Sequence, residues 1–243
     1  MPLDEYRPKR DFSKTPEPSG AQRSGRRVRK PGKTLYFCVQ KHLASRLHYD
    51  LRLEHGGELL SWAVPKGPSL NPQDKRMAVQ TEDHPVEYGN FEGVIPEGYG
   101  AGVVMLWDYG SWTPEVNDID EALSTGDLKF TLDGYKLKGS WVLVRTRDRS
   151  DASPRQRGKS WLLIKHRDFW SGPIDITEFA PLSVKSEGDF DDILADDMPS
   201  VWFTDRPVSR SGTSKRLRAT IEEAGRKIVA RRARQKRNKT NQR

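Results

Sequence analysis

Eight short runs rich in apolar and β-branched residues follow one another between Thr34 and Trp170, each separated from the next by turn residues. Short strands at such regular spacing are typical of an antiparallel β-barrel or sandwich, and a chain of 243 residues can bury a sizeable core. We therefore expect a mainly β fold, a compact antiparallel barrel of about eight strands. The runs are LYFCVQ, LHYDLRLEH, ELLSWAVP, KRMAVQTE, GVVMLWDY, DLKFTLDG, YKLKGSWVLVRTR and SWLLIKHRD.

Changes in composition divide the chain into four parts. Residues 1–33 mix Pro, Gly, Ser and charged residues with almost no apolar periodicity, which predicts an extended basic arm. The barrel core is expected over residues 34–170. An irregular acidic segment follows over residues 171–214, and a basic tail over residues 215–243.

The basic character of the chain is concentrated in its tail. Residues 215–243 hold 12 Lys or Arg against two Glu, so the rest of the chain has 30 basic and 32 acidic residues, and the formal net charge is +8. Such blocks typically bind polyanions such as nucleic acid, and a solvated, unstructured tail is the alternative. Four apolar residues at helical spacing predict that part of the tail forms an amphipathic helix: Leu217, Ile221, Ala224 and Ile228.

Features of the whole chain predict a cytoplasmic protein. The single cysteine, Cys38, cannot form an internal disulfide, and it lies in an apolar run where a small core residue is expected. No leader with an apolar central region opens the sequence, and no apolar run reaches the length of a membrane span. We therefore expect no membrane association.

The second run, LHYDLRLEH, carries unusual polar chemistry for a strand. Alternate side chains of a strand share a face. His48, Asp50 and Arg52 should therefore point one way, while a packing face points the other way. That packing face consists of Tyr49, Leu51 and Leu53.

A candidate metal site follows from this alternation. His42 ends the preceding run, and a tight turn through LASR can return it beside His48. Two imidazoles and the Asp50 carboxylate would leave open coordination positions, as catalytic metal sites do. Such ligands suit Mn²⁺, Fe²⁺ or Zn²⁺. For each histidine alone, an ordinary hydrogen-bonding role is the simpler interpretation.

Further candidates surround this site. His84 heads the glycine-rich stretch TEDHPVEYGNFEGVIPEGYGAG, where it could ligate a metal, or hold a phosphate and donate a proton to a leaving group. It could also be a plain turn residue before Pro85. Arg52, Lys66 and Arg76 suit phosphate oxygens if they reach the same site, and are surface ion-pair residues otherwise.

The sequence resembles the 3′-phosphoesterase domain of bacterial DNA ligase D in these and other motifs. Four stretches carry the resemblance, over roughly residues 6–170: YRPKRDFSKTPEP, FCVQKHLASRLHYDLRLEHGGELLSWAVPKGPS, TEDHPVEYGNFEGVIPEGYGAG and SWLLIKHRD. The resemblance implies a compact β-barrel and Mn²⁺-dependent resection of DNA 3′ ends in non-homologous end joining. The first step would remove a 3′-terminal ribonucleoside, and the second would hydrolyse the remaining 3′-phosphate to a 3′-hydroxyl.

The resemblance also implies roles for individual residues. The metal ligands would be His42, His48 and Asp50, and other divalent transition metals could replace Mn²⁺. Catalytic roles on the scissile phosphate would fall to His84 and Arg52, with Tyr88 as a supporting hydroxyl. Phosphate or strand contacts would come from Lys66 and Arg76. In the arm, three residues match family positions implicated in activity: Arg10, Asp11 and Glu17.

The sequence departs from the larger family architecture because no polymerase or ligase module accompanies the domain. A ligase and end-joining proteins would therefore act in trans. The expected substrate is a DNA or RNA–DNA primer-template 3′ end, and the expected location is the bacterial cytoplasm, in association with the nucleoid. The group that activates the nucleophile does not follow from the residues.

Two other classes of protein fit part of the pattern. His48, Asp50 and His84 could form the H-x-D...H triad of a non-haem Fe²⁺ oxygenase, although His42 and the nearby cations are then unexplained. A non-catalytic DNA-binding module would rely on the basic tail and would bind DNA in a salt-sensitive manner without a metal.

Overall fold

The computed structural model describes residues 34–95, 101–147 and 158–195. The predicted arm over 1–33 and the predicted tail over 215–243 lie outside these residues. Within them the elements are β1 (Leu35–Leu43), β2 (Leu47–His55), β3 (Glu58–Val64), β4 (Arg76–Gln80), β5 (His84–Pro85), a 3₁₀ helix (Val86–Asn90), β6 (Gly93–Ile95), β7 (Gly102–Pro114), α1 (Ile119–Thr125), β8 (Asp127–Gly134), β9 (Lys138–Arg145), β10 (Ser160–Lys165), α2 (Ile176–Phe179) and α3 (Phe190–Leu194).

Eight of the strands form a closed antiparallel barrel. Their order is β1-β2-β3-β4-β10-β9-β8-β7, and pairing of β7 with β1 closes the ring. The predicted mainly β barrel of about eight strands is therefore confirmed, and the eight barrel strands correspond to the eight apolar runs. The other two strands of the described residues are short additions, β5 beside β3 and β6 beside β7.

The barrel interior is packed with large side chains. Tyr49, Leu51 and Leu53 of β2 are each less than 5% exposed and belong to the main apolar cluster, as strand alternation predicts. Cys38 is fully buried, as expected of a small apolar residue, but it lies outside this cluster and pairs across the sheet with Arg52. Five tryptophans, each less than 2% exposed, account for much of the buried volume: Trp62, Trp107, Trp112, Trp141 and Trp161.

Residues 176–195 pack against the barrel as a strap. Ile176, Phe190 and Ile193 belong to the same apolar cluster as the barrel interior. The Nζ of Lys136 and the Nε1 of Trp107 both donate to the carbonyl of Ala180, at 2.9 and 2.8 Å. The strap is therefore part of the folded core. No helix among the described residues is long and apolar enough to cross a membrane.

Replacing the buried strap phenylalanine should test this attachment. Phe190 is 4% exposed, so Phe190→Ala should lower the free energy of unfolding by about 3–5 kcal/mol through lost burial and a residual cavity. Phe169 is 90% exposed, so Phe169→Ala should change it by less than about 0.5 kcal/mol. Urea unfolding measures both values, and similar losses in the two variants would contradict an integral strap.

Candidate metal and phosphate site

The polar residues of β2 lie on the outer face of the barrel wall. Arg52 pairs across the sheet with Cys38 of β1 and with Ser61 of β3, and Asp50 pairs with Gln40 of β1. Side chains directly opposite on neighbouring strands share a face. The predicted separation between a packing face and a polar face of β2 is therefore what the structure has.

His42 and His48 face each other across the β1–β2 hairpin. They form a directly opposed pair, with ring centroids 4.8 Å apart. The Nδ1 of His42 lies 3.8 Å from Oδ2 of Asp50, and the Nε2 of His48 lies 3.7 Å from Oδ1. One ligand atom from each residue lies within 4.8 Å of the other two, so the three residues could hold a metal ion.

The tautomer of His48 suits a metal ligand. Its Nδ1 lies 3.0 Å from the carbonyl oxygen of Arg46, to which it can donate its proton. The lone pair of Nε2, the nitrogen nearest Asp50, is then free for a metal. Metal-bound histidines commonly donate their other N–H to a carbonyl in this manner, so the hairpin presents a donor set that fits a transition metal.

Asp50 is held as a carboxylate. Burial raises the pKa of Asp50. The adjacent Arg52 guanidinium, followed by His48 and His42, lowers it by more than burial raises it, so this pKa lies well below its usual range. The residue is therefore ionised at neutral pH, as a metal ligand requires.

Arg52 connects the metal cluster to the rest of the site. Its side chain is 3% exposed. Its Nε donates to Gln40 at 2.7 Å, its Nη1 donates to Ser61 at 2.7 Å, and its Nη2 donates to Asp50 at 3.2 Å. The Nη1 also lies 2.9 Å from Nδ1 of His84. The guanidinium is thus fixed by several neighbours at once.

His84 joins the site through its Nδ1. This atom lies 2.9 Å from Nη1 of Arg52 and 2.8 Å from the carbonyl oxygen of Glu82. Arginine only donates, so the Arg52 contact needs an unprotonated Nδ1, whereas the Glu82 contact needs a protonated one. The first tautomer makes Nε2 a proton donor, and the second makes it an acceptor.

The 3₁₀ helix and β6 cover this face of the barrel. The ring of Tyr88 lies 5.0 Å from the ring of His84 and 4.9 Å from the Arg52 guanidinium carbon. Tyr88 also belongs to a second apolar cluster, with Phe91, Ile95 and Val104. We call residues 86–95 the cover, because they keep Arg52 and His84 away from water.

Gln40 is a site residue that sequence reasoning missed. It is fully buried, and its Nε2 donates to the carbonyls of both Tyr88 and Phe91 at 3.0 Å, while its Oε1 accepts from Arg52. A signal was present, because Gln40 shares the polar face of β1 with His42. It ties the cover to the guanidinium.

The strap holds the far end of the cover. The Glu92 carboxylate, just after the 3₁₀ helix, accepts from the Leu106 amide at 2.8 Å and from the Ser183 hydroxyl at 2.5 Å. Lys185 donates to the Asn90 carbonyl at 2.7 Å. Residues distant in sequence from the metal cluster thus fix the segment that carries Tyr88.

The remaining predicted site residues have different positions. Lys66 is exposed in the turn after β3, and Arg76 begins β4, where it donates to Asp74 at 3.0 Å. The antiparallel β3–β4 register brings Lys66 and Arg76 to the same end of the barrel as the β1–β2 hairpin. Three residues of the predicted site lie outside the described residues: Arg10, Asp11 and Glu17.

Comparison with known proteins identifies the family. Residues 40–145 match the family described as "DNA Ligase D 3'-phosphoesterase domain". The chain belongs to this family. The match includes all the predicted site residues except those of the N-terminal arm.

Several relatives are multifunctional end-joining proteins. The "Multifunctional non-homologous end joining protein LigD" of Pseudomonas aeruginosa is 52% identical over 194 residues, which are 76% of this chain and 21% of that protein. The protein of the same name from Mycolicibacterium smegmatis is 42% identical over 172 residues, 68% of this chain and 21% of the relative. The chain thus spans about a fifth of the length of these family members.

Removing a metal ligand should weaken metal binding selectively. His48→Ala deletes one donor of the cluster, so we expect Mn²⁺ affinity to fall at least about tenfold, because the loss of even an outer-shell partner costs that much. His55→Ala is the matched control, since His55 ends the same strand and pairs with Asp120 at 2.9 Å. Isothermal titration with Mn²⁺ measures the affinities, and equal values in both variants would contradict the assigned site.

Proposed function

We propose that this protein is a metal-dependent phosphoesterase that heals DNA 3′ ends. It removes 3′-terminal ribonucleosides and 3′-phosphates, leaving 3′-hydroxyl ends for ligation in non-homologous end joining. The observation that carries this proposal is that Asp50 belongs to a His–His–Asp cluster and also pairs with a buried arginine that contacts His84.

Mn²⁺ is the proposed metal, with His42, His48 and Asp50 as its ligands. When bound, such an ion polarises a phosphoryl oxygen and orients or activates a nucleophile. The low pKa of Asp50 supports this role, because the carboxylate does not need to lose a proton near neutral pH before it binds a cation.

Arg52 would stabilise the negative charge that develops on the phosphoryl group. An arginine has five N–H donors, and the contacts with Gln40, Ser61, His84 and Asp50 use four of them within the described part of the chain. The fifth is on Nη2, next to the metal cluster, where it can reach a substrate oxygen. A fixed donor of this kind costs no reorganisation during the reaction.

His84 would hold the phosphate and supply a proton. When its Nδ1 accepts from Arg52, its Nε2 carries the N–H and can donate a hydrogen bond to a phosphate oxygen. To give a proton to a leaving-group oxygen, the ring would have to be the imidazolium, in which Nδ1 donates to the carbonyl of Glu82 and Nε2 releases its proton to return the ring to neutral imidazole. The Tyr88 ring packs against both residues and would orient them. The ring contacts support a positioning role for Tyr88. Its hydroxyl would in addition contact the substrate.

Other residues would guide the nucleic acid into the site. Lys66 and Arg76 lie at strand ends near the β1–β2 hairpin, and their charges suit phosphates of the DNA strand. From the N-terminal arm, three residues would act on ribonucleotide ends in particular: Arg10, Asp11 and Glu17. A DNA ligase and other end-joining proteins would act on the healed product in the bacterial cytoplasm, with the basic tail retaining the enzyme near the nucleoid.

One observation favours the phosphoesterase over the oxygenase. His42, rather than His84, completes the cluster with His48 and Asp50, while the Nδ1 of His84 faces a guanidinium. A cation beside the imidazole suits an anionic phosphate substrate. An oxygenase would instead need His84 to turn toward Asp50.

The direct test offers primer-templates with a 3′-phosphate or a 3′-terminal ribonucleotide, with Mn²⁺ or with EDTA, and resolves the products by length. We expect phosphate release and removal of the ribonucleoside only with the metal. Asp50→Asn should slow both steps about 100-fold or more, since several kcal/mol of transition-state stabilisation depend on the metal. DNA affinity should stay within about threefold, because phosphate contacts dominate it.

His55→Ala again serves as the control and should process ends at the parent rate. Equal processing by Asp50→Asn and the parent would contradict the metal mechanism. DNA binding without any processing in EDTA or Mn²⁺ would favour the non-catalytic module, and oxygen consumption with a keto-acid cosubstrate would favour the oxygenase.

The guanidinium fork can be tested separately from the metal. Arg52→Lys keeps the charge but loses the planar fork that contacts four neighbours, so we expect kcat to fall at least about tenfold. Mn²⁺ affinity should change much less, because all three metal ligands remain. Arg167→Lys changes an exposed arginine and is the control. Steady-state kinetics and Mn²⁺ titration check the prediction, and an unchanged kcat in Arg52→Lys would contradict it.

A further inference from the structure

Three exposed apolar residues lie on the strap or just before it, and none of them is a residue of the proposed reaction. Ile174, Phe179 and Leu182 are 53%, 75% and 45% exposed, within nine residues of one another along the chain. Exposed apolar groups that cluster on a surface commonly mark an interaction site. We call these three residues the apolar patch, and we call residues 174–192 the acidic cap, because acidic residues flank the patch along the chain.

The acidic cap is strongly negative. It contains six acidic residues against a single lysine, Lys185. Lys185 already donates to the Asn90 carbonyl. The six are Asp175, Glu178, Glu187, Asp189, Asp191 and Asp192.

The patch is held in a fixed position on the barrel. Ile176 lies in the main apolar cluster between Ile174 and Phe179, and Phe190 anchors the other end of the cap. The Nζ of Lys136 donates to the carbonyls of both Ala180 and Leu182. Such attachment presents the patch as a preformed surface, which lowers the entropic cost of binding.

We propose that the basic tail of the same chain docks on the acidic cap. Residues 215–234 carry eight Lys or Arg against two Glu, and their predicted helix has one apolar face. An apolar stripe flanked by cations is complementary to an apolar patch flanked by carboxylates. The stripe consists of Leu217, Ile221, Ala224 and Ile228.

The length of the chain permits this contact. The described residues end at Ala195, directly after α3 and at the edge of the acidic cap. The 21 residues from 196 to 216 can span at most about 70 Å when fully extended, and they start from the end of the strap itself. A tethered segment binds at a high effective concentration, so a modest contact suffices.

Docking would compete with the binding of nucleic acid to the tail. The same Lys and Arg side chains cannot pair with the carboxylates of the acidic cap and with phosphates at once. DNA that binds the tail must therefore displace it from the cap, and the two equilibria are linked reciprocally. The cap would thus prevent the tail from binding polyanions for which its affinity is low. Polyanions that bind the tail tightly would still displace it from the cap.

Limited proteolysis of the full chain tests the proposal. Trypsin cleaves after Lys and Arg, so a docked tail should be cut slowly at residues 215–234. The paired change Phe179→Ser and Leu182→Ser removes apolar surface without adding a charge that would attract the tail. It should release the tail and speed this cleavage at least about fivefold, since cleavage follows the open population. High salt or added duplex DNA should speed cleavage of the parent in the same way.

The matched control is Phe169→Ser, which changes an exposed phenylalanine outside the acidic cap and should leave cleavage unchanged. A second variant, Ile221→Asp with Ile228→Asp, removes the apolar stripe and should reproduce the fast cleavage with the cap intact. Equal cleavage rates in the parent and both paired variants would overturn the proposal. Protection that disappears on dilution would also overturn it, because the occupant would then be the tail of a second copy. The readout does not use enzymatic activity and is independent of the proposed function.

Discussion

The rest of the site depends on one buried guanidinium. Arg52 lies under the cover and touches the carboxylate of the metal cluster, the imidazole of His84 and the amide of Gln40. A buried charge is costly unless it is paired and fully hydrogen-bonded, so each neighbour is constrained by the need to satisfy Arg52. The same constraint brings β1, β2, β3 and the cover together at one place, and it keeps Asp50 ionised.

The fold and the metal cluster could be predicted from the sequence because both rest on local rules. Strand alternation assigns Tyr49 to the core and Asp50 to the opposite face, and a short turn brings His42 back to His48. The role of Gln40 could not be predicted, since its partners are carbonyls more than 45 residues away. The contact between His84 and Arg52 also joins residues that are far apart in sequence, and it depends on how β5 pairs with β3.

The strap extends the structural unit beyond the residues that define the family match. Ser183 and Lys185 fix the end of the cover from outside residues 40–145, and Phe190 completes the barrel core. The strap therefore has two surfaces with different roles. Its buried side stabilises the barrel and the cover, whereas its exposed side combines carboxylates with an apolar patch and is suited to a cationic ligand.

The long strand β7 has a consequence for the order in which the molecule assembles. Only residues 44–46 separate β1 from β2, whereas the β1–β7 pairing that closes the barrel joins Leu35 to Trp112. Contacts between residues close in sequence form faster than distant ones, because less loop entropy is lost. The metal ligands are thus brought together by a local hairpin, while the cover, which includes β6, depends on β7 and the late closing step. Metal affinity is a property of the hairpin, and a water-excluded phosphate site is a property of the closed barrel.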